Sequence, residues 1–337
     1  MRGLFNATHE VVKDQNEAPI LFIHYGPADY LHWTIGCAAR TNRGARIIFL
    51  GDESNRKLAR GRVEFFSFEK FSGTKKIAKF ESVFQVVQGE RHRYKKHGGV
   101  EVWLKFVFLR WFLIEEFLRV EGIDAFWTFD SDTLILTELA SREKRFADVE
   151  ASTQCRGRCL NGWVGSRTLV ERYTDCIIEL FSDPAYLVNQ RERLKTQSGL
   201  SFNEMDAFAE FQAREKIRTR RAADVIDGEA FDDALAFSED YQVSPDQIVA
   251  RLEVKRLWAS PEVGLFARLR DSGALVRLLT CNMSWMPHYL IRRLSRYGRS
   301  SPGRLSEGSQ LREVSLKETG TEKLWRSIVF KLRNWRA

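Results

Sequence analysis

The sequence predicts an α/β protein whose core is a mainly parallel, doubly wound sheet flanked by helices. Short apolar runs at residues 19–24, 45–50 and 125–129 each stop at a polar or glycine-bearing turn, the pattern of strands buried on both faces. Stretches of helical period lie between them on short connections, and strand, helix, strand in that order builds a parallel sheet. With 337 residues, 44% of them hydrophobic and 29% charged, the chain is long enough to bury a large core.

The first run, Ile20-Leu21-Phe22-Ile23, ends in His24-Tyr25-Gly26-Pro27, a loop signature. Asp29 is placed to cap a helix that reaches about Arg40. The second run stops at Gly51-Asp52, and a third, shorter strand covers residues 63–66. Ile77, Phe80, Phe84 and Val87 recur at three- and four-residue spacing, so residues 74–88 read as a helix. The basic segment 91–99 is a glycine-ended loop, either solvated or facing an anionic substrate. From Val100 to Val120 apolar residues nearly encircle the chain, which marks a buried helix. Lys105 and Arg110 inside it either snorkel to the surface or meet a phosphate or a carboxylate.

The chemistry centres on residues 125–136, where an apolar run stops at Asp130-Ser131-Asp132 and then resumes at Thr133-Leu134-Ile135. Residues two positions apart on a strand point the same way, and a turn at the strand end lets both carboxylates converge on one hard cation. Asp and Ser equally favour an ordinary turn. Mg2+ or Mn2+ suits such oxygen ligands, and a cation held by one or two carboxylates completes its shell with water and substrate phosphates. Ligands of doubly wound sheets bind beyond the carboxyl ends of the strands, which puts His24, Tyr25, Asp52 and the Asp130 pair on one edge.

Residues 152–160 read as a further strand, followed by a turn with Asn161 and Trp163 and a helix over 168–181. The amide suits a hydroxyl, and the indole either stacks on a sugar ring or fills core. Asn203 fits the N-cap of a helix to about Lys216. In its first turn Glu204 and Asp206 either complement the macrodipole or supply a general base, Asp206 ahead of Glu204. Residues 217–275 carry weak strand and turn signals, with a helix beginning at Ser244-Pro245-Asp246-Gln247. His288, just after an apolar patch at 275–279, is a candidate third metal ligand.

Net charge is +8, and residues 292–337 alone carry that excess, with twelve Lys or Arg against four Asp or Glu. A nucleic-acid-binding fold spreads basic charge over a contact face, so no nucleic-acid partner is expected here. Beyond a linker at 297–309, Leu324, Ile328, Leu332 and Trp335 share one helical stripe among basic residues. Residues 310–337 therefore suit an anionic membrane surface or pack back on the domain. Five cysteines with no paired framework and no Cys-x-x-Cys fit a reduced, cytoplasmic setting. The first fifteen residues lack the apolar core of a signal peptide, and no transmembrane helix is expected.

This order of elements resembles the GT-A glycosyltransferases, particularly bacterial enzymes of surface-polysaccharide assembly. The residues that carry the likeness are the strand 19–24, the strand 45–52, the long helix 103–120, and Phe129-Asp130-Ser131-Asp132 in the place of that family's DxD motif. It covers about residues 18–290, with a nucleotide-sugar half over 18–135, an acceptor half over 136–290, an N-terminal extension 1–17 and a basic tail 291–337. The resemblance implies a UDP- or GDP-linked sugar donor, with Asp132 on Mn2+ or Mg2+ and Asp130 on the ribose or the metal shell. His24, Tyr25 and Asp52 would lie by the nucleotide, with Arg110 and Ser131 on the same side. Asn161 to Trp163 would lie by the sugar, and Asp206 or Glu204 would deprotonate the acceptor hydroxyl in an inverting enzyme. A glycan or lipid-linked acceptor at the inner membrane face follows from the same likeness.

Two other readings compete. A haloacid-dehalogenase-type phosphatase shares an Asp-x-Asp at a strand end, but Thr133 follows Asp132 one residue too early and about 129 residues precede the pair. A basic nucleic-acid-binding protein draws on the pI of 9.3, against the balanced charge before residue 292.

Overall fold

A computed structural model describes residues 17–92, 99–249, 252–299 and 310–323. Strand β1 (Ile20–His24) leads through helix α1 (Leu31–Thr41) to β2 (Ile47–Gly51) and then β3 (Val63–Ser67). Helices α2 (Lys75–Val83) and α3 (Val100–Glu121) precede β4 (Phe126–Thr128), the carboxylate turn and β5 (Thr133–Ile135). A hairpin of β6 (Ala151–Gln154) and β7 (Cys159–Val164) is followed by α4 (Arg167–Ser182), α5 (Pro184–Thr196) and α6 (Glu204–Glu215). Then come β8 (Thr219–Arg221), β9 (Glu229–Ala230), β10 (Leu257–Ser260), β11 (Gly264–Arg268), β12 (Leu275–Leu278), β13 (Thr280–Asn282), α7 (His288–Leu294) and β14 (Arg312–Glu313).

The main sheet has seven strands in the order β3-β2-β1-β4-β7-β6-β8. All pairings are parallel except those of β7, which runs against both β4 and β6. The fold is therefore α/β with a mainly parallel central sheet flanked by helices, as the alternation of apolar runs and helical periods requires. Alternate residues of β1 explain the two cores. Leu21 and Ile23 face a cluster with Phe80, Phe108, Phe112, Tyr173 and Phe208 from α2, α3, α4 and α6. Ile20 and Phe22 face the opposite cluster with Ile35 of α1, Trp127 and Phe231.

A third cluster lies under a smaller sheet, β14-β10-β11-β12-β9, and joins Leu257, Leu265 and Leu278 to Leu290 and Ile291 of α7. Strand β5 leaves the carboxylate turn to pair antiparallel with β13, Thr133 opposite Asn282. That two-stranded ribbon ties the smaller sheet to the turn carrying Asp130 and Asp132.

Several local expectations change. The N-cap of α1 is Tyr30, without a side-chain cap bond, so Asp29 does not cap it. Residues 244–249 form no helix; Val243 bridges Lys255, and Asp246 accepts from Leu316 N at 2.8 Å. Asn161 and Trp163 lie inside strand β7, where cross-strand bonding to β4 and β6 replaces the expected turn. Residues 292–294 complete α7, and Val314 and Leu316 are buried under the smaller sheet. The described part of the basic tail thus packs on the domain. The helical stripe from Leu324 onward lies outside the described residues, as do residues 1–16 and 93–98.

Candidate functional site

β1 and β4 run parallel side by side, and the chain leaves them in opposite directions, β1 toward β2 and β4 toward β7. Such a switch point opens a crevice at the carboxyl ends of its strands. The crevice holds His24, the last residue of β1, and Asp130, Ser131 and Asp132, which follow β4. The turn is closed by Thr133 N donating to Asp130 O at 2.8 Å.

Asp130 is held from two sides. Arg110 Nη1 of α3 donates to its Oδ1 at 2.9 Å, and Asn161 Nδ2 of β7 donates to Oδ2 at 3.2 Å. The aim of Asn161 comes from an irregularity in the strand: Gly162 adopts φ +94°, and the register between β6 and β7 shifts there. A bulge of this kind turns a side chain off the regular alternation. Ser152 Oγ fills the space beside Gly162, donating to Asn161 O at 2.7 Å and accepting from Trp163 N at 2.6 Å, and any Cβ at position 162 would collide with it.

Arg110 also reaches Glu204 Oε1 at 3.3 Å through Nη2. Its side chain and that of Glu204 are both only 14% exposed, so one guanidinium serves two carboxylates in a poorly solvated place. Burial disfavours its charge, but Asp130 and Glu204 outweigh that and hold it above the ordinary arginine value. Burial pushes the Glu204 carboxyl up to about 7, against the pull of Arg110.

Asp132 points elsewhere. Its Oδ2 accepts from Ser284 Oγ at 3.1 Å, and its carbonyl accepts from Met283 N at 3.3 Å. Its Oδ1 is closed from solvent and has no hydrogen-bond partner among the described residues. Burial, and next the charge of Asp130, push its carboxyl up to about 7. Ser131 Oγ lies 2.8 Å from His24 Nδ1 and 3.2 Å from Tyr30 Oη, and the Tyr30 ring meets the His288 ring edge-on at 5.2 Å.

The crevice thus brings together Arg110, Asp130, Ser131, Asp132, Asn161, Glu204 and His24, with His288 one ring away. Tyr25 is 40% exposed, stands beside His24 and packs on Phe106 at 5.6 Å. Asp52 occupies its carboxylate locally: Oδ2 accepts from Gly26 N at 2.6 Å and Asn55 Nδ2 at 3.1 Å, and Oδ1 from Ser54 N at 2.9 Å. It shapes the loop after β1. Trp163 sits across from Trp127 at 5.3 Å in the apolar core, not at the crevice.

Asp206 is engaged outside the arginine bridge. It completes the capping box of α6 with Asn203 and pairs with Arg158 at 2.7 Å and Arg193 at 3.0 Å. Glu204 is the one of the two that shares Arg110 with Asp130 in the crevice. Among the described residues no group of three or more His, Cys, Asp or Glu side chains is arranged to hold a metal. Asp130, Asp132 and His288 therefore do not form a ready-made three-ligand cage, because Asp130 is spent on Arg110 and Asn161. The donor set does fit a cation at Asp132 whose other ligands come from water and a substrate.

Sequence reasoning misses Tyr30 and Ser284. Ser284 is visible there only as a neighbour of His288, and its contact with Asp132 depends on the β5–β13 pairing. Among the described residues no helix is long and apolar enough to cross a membrane.

No family model matches the chain, and no curated protein matches it. Two of the solved structures it is similar to are the PaToxG glycosyltransferase and the 4-diphosphocytidyl-2C-methyl-D-erythritol synthase from Anaerococcus prevotii DSM 20548. The first has a TM-score of 0.36 and 12% identity over 59% of this chain and 69% of that one. The second has a TM-score of 0.24 and 8% identity over 59% of this chain and 96% of that one. At these scores neither likeness bears on activity.

Proposed function

We propose that the protein is a glycosyltransferase that takes a nucleoside-diphosphate sugar, UDP- or GDP-linked, and passes the sugar to a hydroxyl of a glycan or lipid-linked acceptor. The observation that carries this reading is Asp132 Oδ1, a carboxylate oxygen buried without a donor at the switch point of the sheet. A buried oxygen left so is costly, and a hard cation is the partner that relieves the cost while leaving open positions for phosphate oxygens. When bound there, Mg2+ or Mn2+ would offset the charge that develops on the leaving diphosphate.

The chain's own groups divide the remaining work. Ser284 fixes Asp132 by its Oδ2, which keeps Oδ1 as the oxygen left to a cation. Arg110 and Asn161 hold Asp130 rigid, so the second carboxylate keeps its direction as substrate enters. His24, Tyr25 and Ser131 line the β1 side, where a nucleotide would lie. Glu204 accepts the proton of the acceptor hydroxyl: its value near neutrality suits a general base, and Arg110 stabilises the ionised form. The basic sequence from residue 324 on would bring the enzyme to an anionic membrane surface on the cytoplasmic side, next to a lipid-linked acceptor.

A thermal-shift screen tests the donor reading. UDP-hexoses and GDP-hexoses with saturating Mn2+ should raise the melting temperature of the wild-type protein, and the nucleotide alone should do so far less. At a ligand concentration of about 100 Kd the stabilisation is about 2.7 kcal/mol. A folded sample that gains nothing from any nucleoside diphosphate with Mn2+ or Mg2+ would overturn the proposal.

A further inference from the structure

Trp285 is the most exposed large apolar side chain among the described residues, at 63%, and it sits between two buried methionines, Met283 and Met286. Its backbone has φ +66°, although it is not glycine. The turn is closed by Met286 N donating to Met283 O at 2.9 Å, and Ser284 N donates to Asn282 Oδ1 at 3.0 Å. A bulky residue held in the left-handed region costs on the order of 1–3 kcal/mol and persists where the surroundings impose it. Here the imposition turns an indole outward one residue after Ser284, the residue that grips Asp132.

Two further elements meet this indole. Phe237, half-buried, lies 6.0 Å from the Trp285 ring at 50°. The Arg156 guanidinium stands 4.6 Å from the Phe237 ring and pairs with Glu239. Arg156 is itself left-handed, φ +59°, as is Cys155 beside it, φ +52°, in the β6–β7 hairpin. Asp233 Oδ2 accepts from Arg156 N at 2.6 Å and fixes that hairpin. Two of the five left-handed non-glycine residues among those described, Trp285 and Arg156, thus contribute to one platform of indole, phenyl and guanidinium, and a third, Cys155, adjoins it.

We infer that this platform is a saccharide acceptor site, in which the C–H face of a sugar ring stacks on Trp285 and its hydroxyls meet Arg156 and Glu239. The chemistry fits a sugar because an indole supplies a flat apolar surface at low entropic cost, with charged hydrogen-bonding groups at its rim. A buried peptide anchor would need a pocket, whereas Trp285 stands proud of the surface. The position fits an acceptor because Trp285 directly follows Ser284, the Asp132 partner, and so adjoins the crevice. The inference rests on the donor reading above for its placement, and on Trp285 with its charged rim of Arg156 and Glu239 for its ligand class.

Saturation-transfer NMR with free maltotriose, galactobiose and chitotriose tests it, on wild type, Trp285→Ala and Trp285→Phe, with the thermal shifts from UDP and GDP in Mn2+ and in Mg2+ read on all three. Saturation of ring C–H protons of at least one saccharide is expected in wild type, reduced about five-fold in Trp285→Ala and largely kept in Trp285→Phe, the worth of one aromatic contact. Absence of any saccharide signal in wild type, or an equal signal in Trp285→Ala, would overturn it. A signal that depends on Trp285 without a thermal shift from UDP or GDP with either metal would support the platform and overturn the donor reading; such a shift without a saccharide signal would support the donor reading and overturn the platform.

Discussion

Asp132 is the residue at which the proposal is most exposed to test, because without a cation its charge is poorly supported. Its carboxyl, pushed up to about 7 by burial and by Asp130, lies above the unfolded value. The protonated form is therefore the one that folding favours: its stabilising share is full below about pH 4 and lost as pH rises through 7. The substitution Asp132→Asn puts a neutral amide where the protonated acid would stand. In cation-free buffer at pH 8, Asp132→Asn should melt roughly 2 °C or more above wild type, and the gain should vanish at pH 4. The same variant should lose the Mn2+-dependent shift with UDP. Both are read in one set of melting curves, and a variant that melts lower at pH 8 would show that Ser284 alone satisfies the carboxylate.

Glu204 makes a different demand. As the base it must be ionised, so turnover of UDP-hexose to UDP should rise with pH through about 7. Glu204→Gln should lower turnover by about 100-fold or more while nucleotide binding persists. Equal turnover in Glu204→Gln would return the role to Asp206. Sequence alone does not separate the two, since both occupy the first turn of one helix and both suit its dipole. What separates them is nonlocal: Arg110 reaches Glu204 from α3, whereas Arg158 and Arg193 take Asp206.

At the scale of elements, the legible parts are those whose signal is local. β1, β2 and β4 are runs of buried residues on both faces, and α3 is apolar around most of its circumference, so each is readable from a window of its own residues. The β6–β7 hairpin is misread at Asn161 because a glycine in a strand with φ +94° looks like a turn until its partners are known. Helix α5 carries a usable signal, Asp183 capping and Pro184 at the first helical position, but its faces are too polar to show a period. The smaller sheet escapes a sequence reading because its strands are short and its order, β14-β10-β11-β12-β9, joins residues far apart in sequence.

The edge strand β14 illustrates what that pairing is worth. Residues of the basic tail, for which sequence leaves membrane binding and packing on the domain open, include Val314 and Leu316, the latter fully buried in the third cluster with Leu257, Tyr241 and Leu290. Tyr289 Oη donates to Leu316 O at 2.9 Å and Leu316 N donates to Asp246 Oδ2 at 2.8 Å, so the backbone is held on both sides of the buried side chain. Leu316→Ala should cost about 2–5 kcal/mol. Chemical denaturation would record this as a lower midpoint at unchanged slope. A cost under about 0.5 kcal/mol, normal for a surface position, would mean that the segment does not hold the sheet.

For the whole molecule, the question is how the smaller sheet communicates with the crevice, and the buried pair Lys255–Asp232 answers it. Lys255 Nζ donates to Asp232 Oδ1 at 2.5 Å and to Ala234 O at 3.1 Å, with both side chains nearly inaccessible, 3% and 0%. Asp232 Oδ2 accepts from Asn282 N at 3.0 Å, and Gln154 Nε2 donates to Asp232 O at 2.8 Å. One residue therefore fastens three elements: the Asp232 carboxylate holds β13 through Asn282 N and Lys255 beside β10, and its backbone carbonyl holds the end of β6 through Gln154. Asn282 pairs with Thr133, next to Asp132, and Ser284 follows two residues on. Burial pushes the Asp232 carboxyl up and Lys255 pulls it back, so removing the lysine leaves a buried charge with one backbone donor. Lys255→Met should cost about 3–5 kcal/mol and should weaken the UDP–Mn2+ shift, because β13 loses the anchor that sets Ser284 against Asp132. In the double variant Lys255→Met with Asp232→Asn, the amide oxygen can still accept from Asn282 N without a charge to bury. Most of the stability should return, and with it the UDP–Mn2+ shift. Recovery of stability without recovery of the shift would show that the charged pair, and not merely the position of β13, is needed at the crevice; recovery of neither would place the link between sheet and crevice elsewhere.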